Sequence, residues 1–172
     1  MLNLFKVDGK LAPRRVMAAT SLACVGMLAF AIYLQISGGL NPCPMCNVQR
    51  YALIVVAVLA AWASASEERS KWFISGTVLA LFAAGFGAFV AARQSWLQWY
   101  PPEFATCGRD LYGMIETFPL KNVIPMIFKG GGDCAAVDWT LLGGSIANWS
   151  FLCFSAMVLV FLAVLGRRLL RG

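Results

Sequence analysis

Six cysteines and no histidine direct attention to thiol chemistry in this chain. Cys43 and Cys46 form a Cys-x-x-Cys pair within Asn41-Pro42-Cys43-Pro44-Met45-Cys46-Asn47-Val48-Gln49-Arg50, where a short loop ends and a long apolar stretch begins. Such a pair can close into a small disulfide, and a helix N-terminus lowers the pKa of a thiol placed on it, which sets how readily the pair exchanges. With Cys43 as the N-cap, Pro44 takes the first helical position, where its missing N–H is no loss, and Cys46 falls in the first turn. Arg50 follows four residues later, on the same face and about 6 Å along the axis. A permanent cation so close to an apolar segment is costly and calls for a partner; snorkelling to the interface is the plainer alternative. Cys107 and Cys134 lie in a long polar stretch. Four thiols outside apolar segments can make two disulfides, and two disulfides in series can pass electrons.

The elements that must position these thiols are membrane spans. Of 172 residues, 60% are hydrophobic and 13% charged, well short of the roughly 25% charge of a soluble domain, and the mean hydropathy is +0.72. Four apolar segments reach the length of about 20 residues that crosses a bilayer: 16–36, 48–65, 72–92 and 146–165. The fold class expected is an all-α membrane protein, a four-transmembrane-helix bundle formed by one unit over residues 1–172, with a short outer loop at 37–47 and a long one at 93–145. The first apolar run is longer than the roughly 7 to 15 residues of a signal peptide's core, so it reads as a retained span.

Lys6, Lys10, Arg14, Arg15, Arg69, Lys71, Arg167, Arg168 and Arg171 all fall on one side of these spans, which the positive-inside rule makes cytoplasmic. Both termini are then cytoplasmic. The net charge of +6 is accounted for by topology rather than by a nucleic-acid surface, since the basic residues flank spans and form no stripe with aromatics. Cys43, Cys46, Cys107 and Cys134 all face the extracytoplasmic side, where disulfides persist.

Without histidine there is no His-ligated haem, no Cys–His nucleophile pair and no imidazole base. A metal site would need all four outer cysteines as thiolates in an oxidising compartment, so no metal is expected. The plain alternative for Cys107 and Cys134 is one structural disulfide tying the loop. Cys24 and Cys153, in mid-span, read as small packing residues. The segment 118–128, apolar but interrupted by Pro119 and Pro125, suits either the membrane surface or the helix ends. Trp96, Trp99, Tyr100, Trp139 and Trp149 read as interfacial anchors rather than ligand stackers.

Together, Asn41-Pro42-Cys43-Pro44-Met45-Cys46 with Gln49-Arg50, Leu97-Gln98-Trp99-Tyr100-Pro101 running into Phe104-Ala105-Thr106-Cys107, Gly132-Asp133-Cys134 and the order of four spans resemble the disulfide bond formation protein B (DsbB) family of bacterial inner membranes. The resemblance covers nearly the whole chain. It implies a quinone-dependent thiol oxidase, using ubiquinone or menaquinone, that reoxidises a periplasmic DsbA-like thiol oxidase. It further implies a Cys107–Cys134 disulfide that takes electrons from the partner through Cys107. Cys134 then attacks Cys43 and releases Cys46 beside the quinone, with Arg50 near the quinone oxygens. Some family members carry a His just after the third span. Here that region reads Arg93-Gln94-Ser95, and Gln94 is the residue expected to supply a hydrogen bond to the quinone instead. Two other readings compete: a non-enzymatic tetraspan scaffold with structural disulfides, and a related quinone reductase with a different dedicated donor.

Overall fold

A computed structural model of the chain describes residues 13–39, 42–101, 135, 137 and 139–170. Four long helices dominate it: α1 (Pro13–Gly38), α2 (Pro44–Ala65), α3 (Lys71–Trp99) and α4 (Ile146–Leu169), with a two-stranded hairpin, β1 (Thr140–Leu141) and β2 (Gly144–Ser145), ahead of α4. All four helices are long and apolar enough to cross a membrane. Their starts follow from local chemistry. The Cys43 sulfur accepts the Cys46 N–H at 3.3 Å with Pro44 behind it in the first turn, Ser70 caps α3 through the Trp72 N–H, and Ser145 caps α4 through the Asn148 N–H. Each cap satisfies a donor that the first helical turn leaves unpaired.

Two features depart from the sequence expectation. α3 runs on to Trp99, seven residues beyond the apolar run that ends at Ala92, because Arg93-Gln94-Ser95-Trp96-Leu97-Gln98-Trp99 is too polar to extend a span yet contains no Gly or Pro to stop a helix; Pro101 and Pro102 follow directly. The hairpin lies in what the sequence offers as irregular loop. Thr140 pairs with Ser145 and Leu141 with Gly144, and the two turn residues, Leu142 and Gly143, both take positive φ, at 52° and 80°, as a tight hairpin turn of this hand requires.

α3 packs on α2 and on α4, and α2 on α1, while the backbones of α1 and α4 stay apart over nearly all of their length. The core is built from Val56, Ala60 and Ala63 of α2, Phe73, Ala80 and Ala84 of α3, and Phe154 and Phe161 of α4, with Met17 and Cys24 of α1. Small residues let the backbones approach. A Cβ at Gly87 would overlap the Phe154 ring, and one at Gly76 would lie 3.1 Å from the Ala63 Cβ. Polar ties also cross the bundle. Ser21 Oγ donates to the Ala57 carbonyl at 2.9 Å, Arg14 Nε donates to the Ser64 carbonyl at 2.9 Å, and the Arg168 guanidinium lies 5.8 Å from the Phe73 ring centroid. The last two contacts gather the start of α1, the end of α2, the start of α3 and the end of α4 at one end of the bundle. Leu22, Phe82, Phe89 and Leu159 are each at least 60% exposed. In water such a band would drive aggregation; hydrocarbon covers it without cost. The chain is an all-α four-helix membrane bundle.

Candidate functional site

Cys43 and Cys46 sit at the end of the bundle opposite Arg14 and Arg168, at the start of α2. Cys43 is buried and Cys46 half-buried. Their sulfurs are 2.9 Å apart, so small side-chain rotations would close them to the bond length of about 2.05 Å. Across from them, the extension of α3 presents Gln94. Its Nε2 donates to Cys43 Sγ at 3.3 Å and to Cys46 Sγ at 3.2 Å, one amide hydrogen for each sulfur. Its Oε1 accepts from Gln49 Nε2 at 2.7 Å. The bond from Gln49 suits an orientation of the Gln94 amide with its N–H groups on the sulfurs, and the same oxygen lies 3.8 Å from Cys46 Sγ.

Arg50 is held elsewhere. Its Nη1 donates to Gln35 Oε1 at 2.6 Å and its Nη2 to the Ala31 carbonyl at 3.3 Å, both on α1. These two bonds tie α2 to α1 across the interface between the helices. Arg50 nevertheless borders the same space as the cysteines. A cavity of about 350 Å³ is lined by Cys43, Cys46, Gln49, Arg50, Gln94 and Gln98 on one side, and walled by Met27, Phe30, Ala31 and Leu34 of α1, by Trp149, Cys153 and Phe154 of α4, and by Val137 and Trp139. Mostly apolar walls with a few convergent polar groups are what a small-molecule site requires, and the volume lies within the usual range of about 300 to 1,000 Å³.

Four residues singled out from sequence therefore meet here: Cys43, Cys46, Arg50 and Gln94. Cys107 and Cys134 lie outside the described residues, as does the segment 118–128. Cys24 behaves as expected, fully buried, with its thiol 3.7 Å from Met157 Sδ. Cys153 does more than pack, since its side chain lines the cavity. Trp139 and Trp149 likewise face the cavity rather than serving only as anchors. Trp139 packs edge-on against Phe30, with centroids 6.2 Å apart, and Trp149 Nε1 donates to the Leu141 carbonyl at 3.0 Å, tying the hairpin to α4. Trp96, Trp99 and Tyr100 are exposed at the end of α3, as anchors are.

Sequence reasoning gave no role to Gln49, Gln35 or Gln98. Gln98 Oε1 accepts from Ser145 Oγ, which joins the end of α3 to the start of α4. A signal for Gln49 existed: it stands three residues after Cys46, on the same helical face, and a buried amide at membrane depth is costly unless it is paired.

All of this architecture except the last residues of α4 lies inside the segment, residues 13–164, that matches the family model described as Disulfide bond formation protein DsbB. The chain belongs to the disulfide bond formation protein B family. Among its relatives, the disulfide bond formation protein B of Paracidovorax citrulli is 67% identical over 156 residues, covering 91% of this chain and 89% of the relative. That of Albidiferax ferrireducens is 62% identical over 160 residues, covering 93% and 91%, and that of Azoarcus sp. is 50% identical over 146 residues, covering 84% and 88%. Membership makes this a multi-pass membrane protein of disulfide bond formation.

Proposed function

We propose that the chain is a quinone-dependent protein-disulfide oxidoreductase of the bacterial inner membrane, which reoxidises a periplasmic DsbA-like thiol oxidase and passes its electrons to ubiquinone or menaquinone. The observation that carries this reading is the apolar cavity of about 350 Å³ bordered by the Cys43–Cys46 pair, on helices that cross the membrane. A soluble electron acceptor would have no reason to meet a dithiol there, whereas a lipid-soluble ring would. The walls favour a flat apolar body, through Phe30, Trp139 and Trp149, while Arg50 and Gln94 supply donors for carbonyl oxygens. Arg50 and Gln94 would hold a quinone there, and it would supply an acceptor for two electrons and two protons.

The chain's own residues then do the following. One partner thiolate attacks Cys107 of a Cys107–Cys134 disulfide and forms a mixed disulfide; the partner's second thiol displaces Cys107, which leaves the partner oxidised and the loop pair reduced. Cys134 attacks Cys43 of the Cys43–Cys46 disulfide, and Cys46 departs as a thiolate. Attack of Cys107 on Cys134 restores the loop disulfide and releases Cys43, so both electrons now reside on the membrane-edge pair. Gln94 stabilises the departing sulfur by hydrogen bonding, and Arg50 and the α2 N-terminus add positive potential nearby. The distribution of Lys and Arg supports termini in the cytoplasm and thiols in the periplasm.

The test is direct. Purified full-length chain, mixed with quinone and a reduced thioredoxin-like periplasmic protein, should consume quinone in step with the partner's thiols, as read by the quinone's ultraviolet absorbance. No quinone loss, with disulfides that survive mild reductant, would establish the scaffold reading instead; quinone loss only with another thiol donor would establish a different dedicated partner.

A further inference from the structure

The quinone-linked reading leaves one buried group with no task. Gln49 is 6% exposed and Gln94 4% exposed, so each amide must find its partners inside the protein. Gln94 can face the sulfurs in two ways. With Nε2 toward them it donates to both, as observed at 3.3 and 3.2 Å; inverted, it would aim a carbonyl oxygen at the same two sulfurs. A carbonyl oxygen beside a thiolate is repulsive, and an amide N–H beside it is a charge-assisted hydrogen bond. Which of the two prevails depends on what Gln94 Oε1 meets: it lies 3.8 Å from Cys46 Sγ, a long contact that a thiolate cannot use, whereas Gln49 Nε2 donates to it at 2.7 Å.

We infer that Gln49 is a positioning residue: by donating to Gln94 Oε1 it holds the Gln94 amide with its hydrogens on Cys43 and Cys46, and so favours the reduced pair over the disulfide. The inference rests on the thiol-exchange role proposed above and adds the residue that sets the poise of the membrane-edge pair. The balance is that of disulfide plus two electrons and one proton giving one thiol and one thiolate. Two N–H donors stabilise the thiolate side more than the neutral disulfide, because hydrogen bonds to a charged sulfur are the stronger ones. An amide at position 49 can complete this arrangement; a carboxylate cannot, since it only accepts. In Gln49→Glu the Gln94 amide must therefore turn over, presenting its N–H groups to the introduced carboxylate and its oxygen to the sulfurs. Once protonated, the same carboxyl donates again and restores the original orientation.

The experiment uses the full-length chain in detergent, free of quinone and carrying Cys107→Ser and Cys134→Ser so that only the Cys43–Cys46 pair exchanges. Reduced and oxidised forms are counted by mass after thiol labelling across a series of dithiothreitol buffers. Above neutrality, Gln49→Glu should lower the equilibrium constant for reducing the pair about tenfold relative to the unaltered position, a potential about 30 mV more negative. Gln49→Met, similar in size and unable to donate, should lower it about threefold, and Gln94→Leu at least as much as Gln49→Glu. In mild acid the Gln49→Glu deficit should shrink toward zero, while the Gln49→Met deficit stays. Equal effects of the two position-49 variants at every pH, or no effect of Gln94→Leu, would overturn the inference and reduce Gln49 to a packing residue. Quinone reduction by the unaltered chain is measured separately. Its failure would remove the proposed function and leave this redox measurement standing, and a null redox result beside normal quinone reduction would remove only the role of Gln49.

Discussion

A half-buried guanidinium beside an apolar cavity is stable only where its charge is met, and Arg50 meets Gln35 Oε1 at 2.6 Å and the Ala31 carbonyl at 3.3 Å. Both partners are neutral, so its charge remains available to whatever negative group enters the cavity beside it. Arg50→Gln should therefore raise the KM for quinone and lower kcat. The size is that of one charged hydrogen bond in a partly dry site, about 1.5 to 3 kcal/mol, or roughly a tenfold to hundredfold loss in kcat/KM. The KM for the thiol partner should hardly move, and steady-state rates taken against each substrate in turn decide the matter. Equal small effects on both would assign Arg50 to tying α1 to α2. Much of the residue scale was legible in the sequence, because the Cys-x-x-Cys spacing, Pro44 and the i, i+4 relation of Cys46 to Arg50 are local. The partner of Arg50 was not, since Gln35 is fifteen residues away and meets it only through packing. Gln94 was reached through the family resemblance alone; its bonds to both sulfurs and to Gln49 depend on the register of α3 against α2, which no local pattern encodes.

At the scale of elements, the tight contact between α3 and α4 depends on Gly87, where a side chain would overlap the Phe154 ring. Phe154 also lines the cavity, so pushing it aside damages packing and site together. Gly87→Leu should cost about 1 to 3 kcal/mol of stability and impair quinone turnover. Gly85→Leu, on the same helix with nothing within 4 Å of its added Cβ, should change neither. Thermal unfolding of the two variants in detergent checks the difference. The four helices themselves were readable as apolar runs, because hydrocarbon thickness sets a minimum length that few other constraints mimic. Their ends were less so. Hydropathy registers where a bilayer stops, and α3 continues beyond that point; the hairpin of Thr140 to Ser145 pairs only two residues a side, too few for alternation to register.

For the whole molecule, the proposed relay spans two compartments: a soluble partner at the outer loop and an apolar cavity within the bundle. Its two halves should fail separately. A partner whose second cysteine is changed to Ser should be trapped as a mixed disulfide through Cys107, visible as a higher band on a non-reducing gel that reductant removes; absence of that band would break the proposed order of transfer. Cys153→Trp, which fills the cavity from α4, should raise the KM for quinone several-fold while leaving formation of that mixed disulfide intact. Unchanged quinone kinetics in this variant would separate the cavity from the reaction. The bundle was legible as four apolar runs; residues 102–134 lie outside the described residues.

The separation of α1 and α4 along nearly all of their length has a consequence for kinetics. Two apolar residues on the cavity, Phe30 of α1, half-exposed, and Ile146 of α4, more than one-third exposed, lie at the bundle surface, so under the proposed function a lipid-soluble ring would enter beside them from the bilayer. Supply of an apolar substrate by that route is a search in two dimensions. The governing concentration is then moles per mole of lipid, and a half-saturation value expressed per litre of suspension would change whenever the lipid content did. Diluting vesicles with buffer would leave turnover per protein unchanged, whereas diluting the same quinone with inert lipid would slow it.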